Sequence, residues 1–174
     1  MSAKKSRAAP ASKRAVKKNA APKDAATRFL EFYYPIHYKA GVRVEDAMRG
    51  DDLGRHQVAI LWLIHSEGTD GTCMSRKDIE QHLRLWFDVS SAAITKALRA
   101  MASAPLNLLT QEESAHSGRE KIVTLSPAGE AHVENMIGRG DAFIRRIIET
   151  MTPEEINQGL HFFSRVSDIV DELK

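Results

Sequence analysis

The hydrophobic periodicity of residues 74–125 changes from helical to strand-like, and this change constrains the fold more than any other feature of the chain. Apolar residues first recur at helical spacing over two segments, the second of which begins at about residues 88–90. Two β-prone runs follow, residues 107–110 and 121–125, on either side of a polar tip at residues 113–120. The inward-facing helical positions are predicted to be Ile79, Leu83, Ile94, Ala97, Leu98 and Met101. The segment is therefore predicted to form a helix, a second helix and a short β-hairpin.

The second of these helices has a small, polar outer face that becomes basic along its length. Ser91, Thr95 and Arg99 follow one another at intervals of four residues, and Ser90 and Lys96 flank them. Short side chains permit close approach to a DNA major groove, which is roughly 12 Å wide, and the longer cations reach phosphates or a guanine edge. Taken alone, the pattern is more typical of an ordinary surface helix with a solvated outer face.

The hairpin shifts the balance toward nucleic-acid binding. Its tip carries Arg119, a cation able to reach into a minor groove, and His116, for which a solvated loop position is the simpler interpretation. Helix, helix and hairpin in this order are the layout of a winged helix-turn-helix, a module that usually reads duplex DNA. The residues predicted to contact DNA are Arg76, Ser90, Ser91, Thr95, Lys96, Arg99, His116, Arg119 and Lys121.

The charge of the chain is unevenly distributed. Residues 1–24 hold 8 of the 25 basic residues and 1 of the 23 acidic residues, which leaves 17 basic and 22 acidic residues in the remainder. This basic arm has almost no large apolar side chain, so we expect it to be disordered in the free protein. Two interpretations weigh about evenly: a non-specific clamp on the DNA backbone, or a solubilising tail.

Helical periodicity also precedes this segment. A first apolar stripe begins near Ala25 and ends before Gly50, and Pro35 either kinks this helix or starts a new one. A further helix is predicted over residues 54–66. Its inward face is predicted to carry Val58, Leu61, Trp62 and His65.

Two strongly apolar helices are predicted after the hairpin. Ser126 followed by proline is a helix start, and residues 152–155 form a capping box that opens the last helix. Gly138 and Gly140 are expected to loosen the first of the two helices. Their apolar surface exceeds what one small core can cover, so a homodimer is predicted, with packing against the first helix of the same chain as the alternative.

A ligand site is predicted from aromatic and histidine side chains on the early helices. A crevice lined by such residues suits a small, planar aromatic or phenolic effector. The simpler interpretation, that they are core and interface residues, has better odds. The residues concerned are Tyr34, His37, Tyr38, Trp62 and His65.

Several classes of function lack support in the sequence. The single cysteine, Cys73, excludes an internal disulfide framework and fits a reducing compartment, and no apolar run approaches the roughly 20 residues of a membrane span. The histidines lack metal-ligand spacing, and a glycine-rich phosphate loop is absent. We therefore expect a non-enzymatic protein without metal or cofactor, located in the cytoplasm with the nucleoid.

Five stretches in order resemble the MarR family of bacterial winged-helix regulators. They are LGRHQVAIL at 53–61, WLIH at 62–65, SRKDI at 75–79, SSAAITKAL at 90–98 and LSPAG at 125–129. Their order and spacing are moderately specific together, and the resemblance extends over about residues 27–174.

The resemblance implies a homodimer that binds a pseudo-palindromic operator, usually as a repressor released by a small ligand. In that picture residues 90–99 are the recognition helix and Arg119 is the wing arginine. The chain departs from the family pattern at Ser117, where an aspartate usually precedes that arginine by two positions. Residues 85–87 are also predicted to lengthen the turn between the two DNA-proximal helices.

The predicted fold class is mainly α with a small antiparallel β wing. Residues 1–24 are the basic arm, and residues 25–174 form a single MarR-like domain. Within it, residues 53–126 are the winged-helix core, and residues 25–50 and 127–174 are the dimerisation helices. The predicted function is sequence-specific regulation of transcription on double-stranded DNA. The alternative is a winged-helix architectural or protein-interaction module whose arm supplies non-specific DNA affinity.

Overall fold

The computed structural model describes residues 24–114 and 117–173, with backbone alone at residues 117–119. The predictions for the basic arm and for His116 lie outside the described residues. The fold is mainly helical with one small sheet. Its elements are α1 (Ala25–Ile36), a π-helical segment (His37–Gly41), α2 (Val42–Arg49), α3 (Arg55–Glu67), β1 (Cys73–Ser75), α4 (Arg76–Trp86), α5 (Ser91–Met101), β2 (Leu109–Ser114), β3 (Ser117–Leu125), α6 (Pro127–Ile148) and α7 (Pro153–Glu172).

The helix that contains Pro35 neither stops nor restarts there. Pro35 lies inside α1, and the backbone passes through the π-helical segment into α2 with helical dihedral angles at both junctions. The backbone N–H of Val42 donates to the carbonyl of His37, five residues back. Proline cannot donate a backbone hydrogen bond, and such local irregularity is a common accommodation within a continuing helix. Gly50, with φ of 63°, ends α2.

Side-chain hydroxyls determine where four of the helices begin. Ser75, Ser90, Ser126 and Thr152 each accept a hydrogen bond from the backbone N–H three residues on, at 3.0–3.3 Å. The backbone N–H of Thr152 donates in turn to the carboxylate of Glu155 at 2.7 Å, which completes the predicted capping box. These helix starts could be predicted from the sequence, because capping depends on residues within one turn of each other.

One helix extends further than predicted, and another is more regular. Leu85 and Trp86 belong to the last turn of α4, so the connection between α4 and α5 is residues 87–90. The sequence of α4 lacks glycine and proline, and its arginines and leucines favour helix. In α6 the expected loosening at Gly138 and Gly140 is wrong, because the helix is continuous. Gly140 instead permits close packing, since a Cβ there would lie 2.9 Å from Cγ of Met48 on α2.

The sheet has three antiparallel strands in the order β1-β3-β2. Leu109 pairs with Leu125, Met74 with Val123, and the register shifts at Glu113 and Ser114, near the tip. The predicted hairpin is therefore confirmed, and β1 adds a third strand that ties it to the start of α4.

The core is centred on α3. Ile60, Leu61, Leu63 and Ile64 are fully buried because α3 contacts α2, α4, α5, α6 and the sheet. The predicted inward face is wrong at Trp62 and His65, which are exposed. A helix surrounded by neighbours buries adjacent positions and leaves no single stripe to recognise.

The outer helices contribute little to this core. Neither α1 nor α7, both fully described, contains a buried residue. Within the described residues, no helix is both long and apolar enough to cross a membrane.

Candidate nucleic-acid interface

Helix α5 is held in the winged-helix core by its apolar face. Ile94, Leu98 and Met101 are buried against α3 and the sheet-side core. The outward face carries Ala92, Lys96 and Arg99, which are exposed. At 3.6 residues per turn these three positions lie within about 60° of one another, on the side opposite the buried stripe.

The prediction that Ser91 and Thr95 face outward is wrong. Both side chains are half-buried and contact α4. Ser91 donates to a carboxylate oxygen of Glu80 and accepts from Arg84, which also pairs with Glu80 at 2.9 Å. The sequence pattern placed these residues opposite the core, but a step of about 100° per residue puts them at its edge.

Thr95 is engaged at both of its hydrogen-bonding functions. Its hydroxyl donates to the carbonyl of Ser91 at 2.7 Å and accepts from Nη2 of Arg76 at 2.7 Å. Arg76, predicted to contact DNA, is half-buried at this junction between the start of α4 and α5. The polar contacts between α4 and α5 therefore use residues that the sequence alone had assigned to the DNA-facing side.

The hairpin presents mixed charge toward its tip. Lys121 is exposed and lies opposite Glu113 in the register, and Glu112 is also exposed. Arg119 lies in β3, but its side chain is outside the described residues, as is His116. The strand positions place the backbone of Arg119 two residues from Lys121 on the outer part of the hairpin. The DNA-contacting roles of the nine residues remain predictions.

The aromatic residues predicted for a ligand site divide into separate groups. On the first helical segments, Tyr33 stacks on His37 at 5.8 Å between ring centroids, and Tyr34 stacks on Tyr38 at 6.3 Å. Tyr34 and Tyr38 are about 60% exposed. They form an aromatic ladder along the outside of the helix and do not line a cavity with Trp62.

A cavity of 470 Å³ lies between α2, α3 and the end of α4. Of the five residues predicted to bind a ligand, Trp62 is the one that lines it. The other lining residues were not predicted, although the adjacent aromatic residues Trp86 and Phe87 beside a helix end were a usable signal. The lining residues are Val42, Glu45, Asp46, Met48, Arg49, Arg55, Val58, Ala59, Trp62, Trp86 and Phe87.

The cavity combines aromatic walls with paired charges. Arg55 contacts Glu45 at 2.7 Å, and its guanidinium carbon lies 5.2 Å from the centre of the Phe87 ring. Arg49 contacts Asp46 at 3.2 Å. Such a site offers stacking surfaces together with two arginine–carboxylate pairs, a chemistry suited to a planar aromatic molecule that carries polar groups.

Within the described residues, no group of three or more His, Cys, Asp or Glu side chains is arranged to hold a metal ion. The single cysteine, Cys73, is half-buried, and its thiol lies 3.8 Å from the carbonyl of Thr69.

Known proteins match this chain at the level of the domain and the fold. Residues 53–129 match the family described as Winged helix DNA-binding domain. No curated protein matches the sequence. Among solved structures, a MarR family protein from Bacillus stearothermophilus is similar at TM-score 0.72 and 13% identity, over 87% of this chain and 99% of that one.

Two further structures are similar at lower scores. A mutant of MarR from E. coli complexed with operator DNA has a TM-score of 0.60 and 15% identity, over 82% of this chain and 96% of that one. BpsR from Bordetella bronchiseptica, whose DNA binding is regulated by 6-hydroxynicotinic acid, has a TM-score of 0.57 and 18% identity, over 79% and 98%. Residues 53–129 are therefore similar to the winged-helix DNA-binding family, and the chain has the fold seen in structures of MarR-family proteins.

Proposed function

We propose that this protein is a sequence-specific transcriptional regulator of the MarR type that binds duplex DNA as a homodimer. The observation that carries the proposal is the exposed face of α5 within a matched winged-helix domain, where Lys96 and Arg99 lie opposite the buried stripe. A helix of this kind inserts into the major groove, and a wing reaches the adjacent minor groove. Arg119, whose backbone lies in the outer hairpin, is the proposed wing cation.

The dimer is proposed from the apolar surface of α1 and α7. Phe29 stacks on Phe162 at 5.8 Å, yet about 60% of Phe29 remains exposed, as does a similar share of Phe163. An apolar groove of 390 Å³ runs between the two helices. A second copy packing its own α1 and α7 on this surface would cover both patches by two-fold symmetry. Two recognition helices would then lie about 34 Å apart, one turn of DNA.

A small planar aromatic effector is proposed for the cavity between α2, α3 and α4. Trp62 and Trp86 both line it, and the sequence contains these two tryptophans alone. The cavity borders α4, which in turn holds α5, so occupancy can alter the position of the recognition helix. Together with the similarity to a regulator controlled by 6-hydroxynicotinic acid, this favours a repressor that a ligand releases.

The decisive experiment is selection of binding sites from a pool of randomised duplexes, followed by salt titration of the enriched and a scrambled duplex. We expect an enriched inverted repeat that binds at least about 1,000-fold more tightly than the scrambled duplex at the same salt concentration. A variant in which the eight basic residues of the arm are replaced by glutamine serves as the control. If the wild-type chain binds both duplexes with equal affinity, and the control variant binds neither, the protein is an architectural protein that binds DNA through its arm.

The effector proposal has its own measurement. We expect 6-hydroxynicotinic acid, or another planar aromatic acid, to quench tryptophan emission and to release the selected duplex. Replacing Trp62 by leucine should halve the quenching and weaken the release. Release without any change in tryptophan emission would place the effector elsewhere.

A further inference from the structure

We infer that Lys96 reads a base edge from α5, and that Ser91 and Thr95 act as positioning residues that hold α5 on α4. The inference rests on the proposed function and deepens it, since it assigns specificity within the proposed DNA-binding face. It depends on which hydrogen-bonding groups remain available after the two helices have packed.

Ser91 and Thr95 have their hydroxyls committed inside the protein. Ser91 lies between Glu80 and Arg84, and Thr95 joins the carbonyl of Ser91 to the guanidinium of Arg76. Reading a base with either hydroxyl would require breaking contacts that include charged partners, which are worth more than neutral hydrogen bonds. The ion pair of Glu80 and Arg84 on α4 holds the hydroxyl of Ser91 on α5. This contact fixes the rotation of α5 about its own axis.

The side chain of Lys96 is exposed, and among the described residues it makes no hydrogen bond or ion pair. It lies one turn after Ala92, which is exposed near the start of the helix, where residues approach base edges most closely. The short side chain of Ala92 lets the backbone approach the groove, and a lysine one turn further can reach O6 and N7 of guanine. The methyl group of Ala92 suits contact with a thymine methyl.

The test compares site selection by the wild-type chain with selection by Lys96→Gln and Thr95→Val. Glutamine pairs with adenine where lysine pairs with guanine. We therefore expect Lys96→Gln to change the preferred base at one position of each half-site from guanine to adenine, with about a tenfold change in relative affinity. The other positions of the half-site should stay as in the wild type.

Thr95→Val should weaken binding to every selected duplex by a similar factor and leave the preferred bases unchanged. Thr95→Ser keeps the hydroxyl and should restore wild-type affinity. Uracil in place of thymine removes only the methyl group, and we expect an approximately fourfold loss at the position facing Ala92. That loss should disappear in Ala92→Gly and persist in Ala100→Gly, a matched change on the same helix.

The outcomes separate the inference from the proposed function. A wild-type chain that enriches no sequence overturns both. A wild-type chain that enriches a sequence, with preferred bases that change in Thr95→Val but not in Lys96→Gln, overturns the inference alone. Circular dichroism of each variant identifies any loss of folding. Because Lys96 is exposed, its substitution should leave the fold intact, and a changed base preference then reports on DNA contact alone.

Discussion

The guanidinium of Arg139 on α6 donates a hydrogen bond of 2.7 Å to the carbonyl of Met48 at the end of α2. A second bond from its Nε reaches the carbonyl of Ala47 at 3.0 Å. Carbonyls in the last turn of a helix lack partners within the helix, and a cation there also faces the negative end of the helix dipole. One side chain thus joins α6 to the end of α2, just before the winged-helix core begins.

Replacing Arg139 by methionine should lower the free energy of unfolding by about 2 kcal/mol, because two charge-assisted hydrogen bonds are lost. Urea denaturation measures this change. Arg146→Met, on an exposed position of the same helix, is the control and should change stability by less than about 0.5 kcal/mol. Equal effects in the two variants would mean that the bonds to α2 contribute nothing to stability.

Two glycines of α6 should respond oppositely to alanine. A Cβ on Gly129 would lie 2.1 Å from the backbone oxygen of Leu108, whereas a Cβ on Gly138 would meet nothing within 4 Å. Gly129→Ala should therefore destabilise the protein by about 3 kcal/mol or more, through displaced backbone. Gly138→Ala should stabilise it by roughly 0.5–1 kcal/mol, since alanine favours helix. Thermal unfolding of both variants provides the comparison, and a stable Gly129→Ala would contradict the packing of α6 against the chain before β2.

His132 should make the protein less stable in mild acid. Burial lowers the pKa of His132 below its ordinary value of 6.5, the charge of Arg139 lowers it further, and Asp52 opposes both effects. Its Nε2 is also buried, without a hydrogen-bond partner within the described part of the chain. Above pH 6.5 the histidine is neutral in both the folded and unfolded states, and its contribution to stability is fully present. As the pH falls below 6.5 the unfolded state takes up the proton first, so stability declines until the folded pKa is passed.

We therefore expect His132→Gln to reduce the loss of stability between pH 7.5 and pH 5.5, measured by urea denaturation at each pH. His65→Gln, on an exposed position of α3, is the matched control. An identical pH dependence in the wild type and in His132→Gln would mean that other groups account for the acid response.

The proposed dimer should depend on the apolar face of α7. Phe163→Asp places a charge where about two thirds of the ring is exposed, and burying that charge in an interface is costly. We expect this variant to be monomeric in sedimentation equilibrium and to lose affinity for the selected inverted repeat. Asn157→Asp adds the same charge at an exposed polar position of the same helix and should leave the mass unchanged. A wild-type chain that sediments as a monomer at high concentration would contradict the dimer directly.

Much of the fold was predictable because it depends on residues close together in the sequence. Helix starts at Ser75, Ser126 and Thr152 depend on a hydroxyl and the N–H three residues away. The hairpin follows from two β-prone runs around a polar tip, and the buried face of α5 follows from its helical spacing. A chain carrying these local signals in this order has few other folds open to it.

Only the tertiary structure decided which polar side chains face outward and where the cavity lies. The commitment of Thr95 to Arg76 joins positions 19 residues apart, and the contact between Arg55 and Glu45 crosses from α2 to α3. Helical spacing assigns a residue to a face but not to the neighbour that packs against the edge of that face. The sequence by itself therefore determined the helices, their caps and the wing, whereas contacts between separate helices decided that Lys96, and not Thr95, lies on the open face of α5.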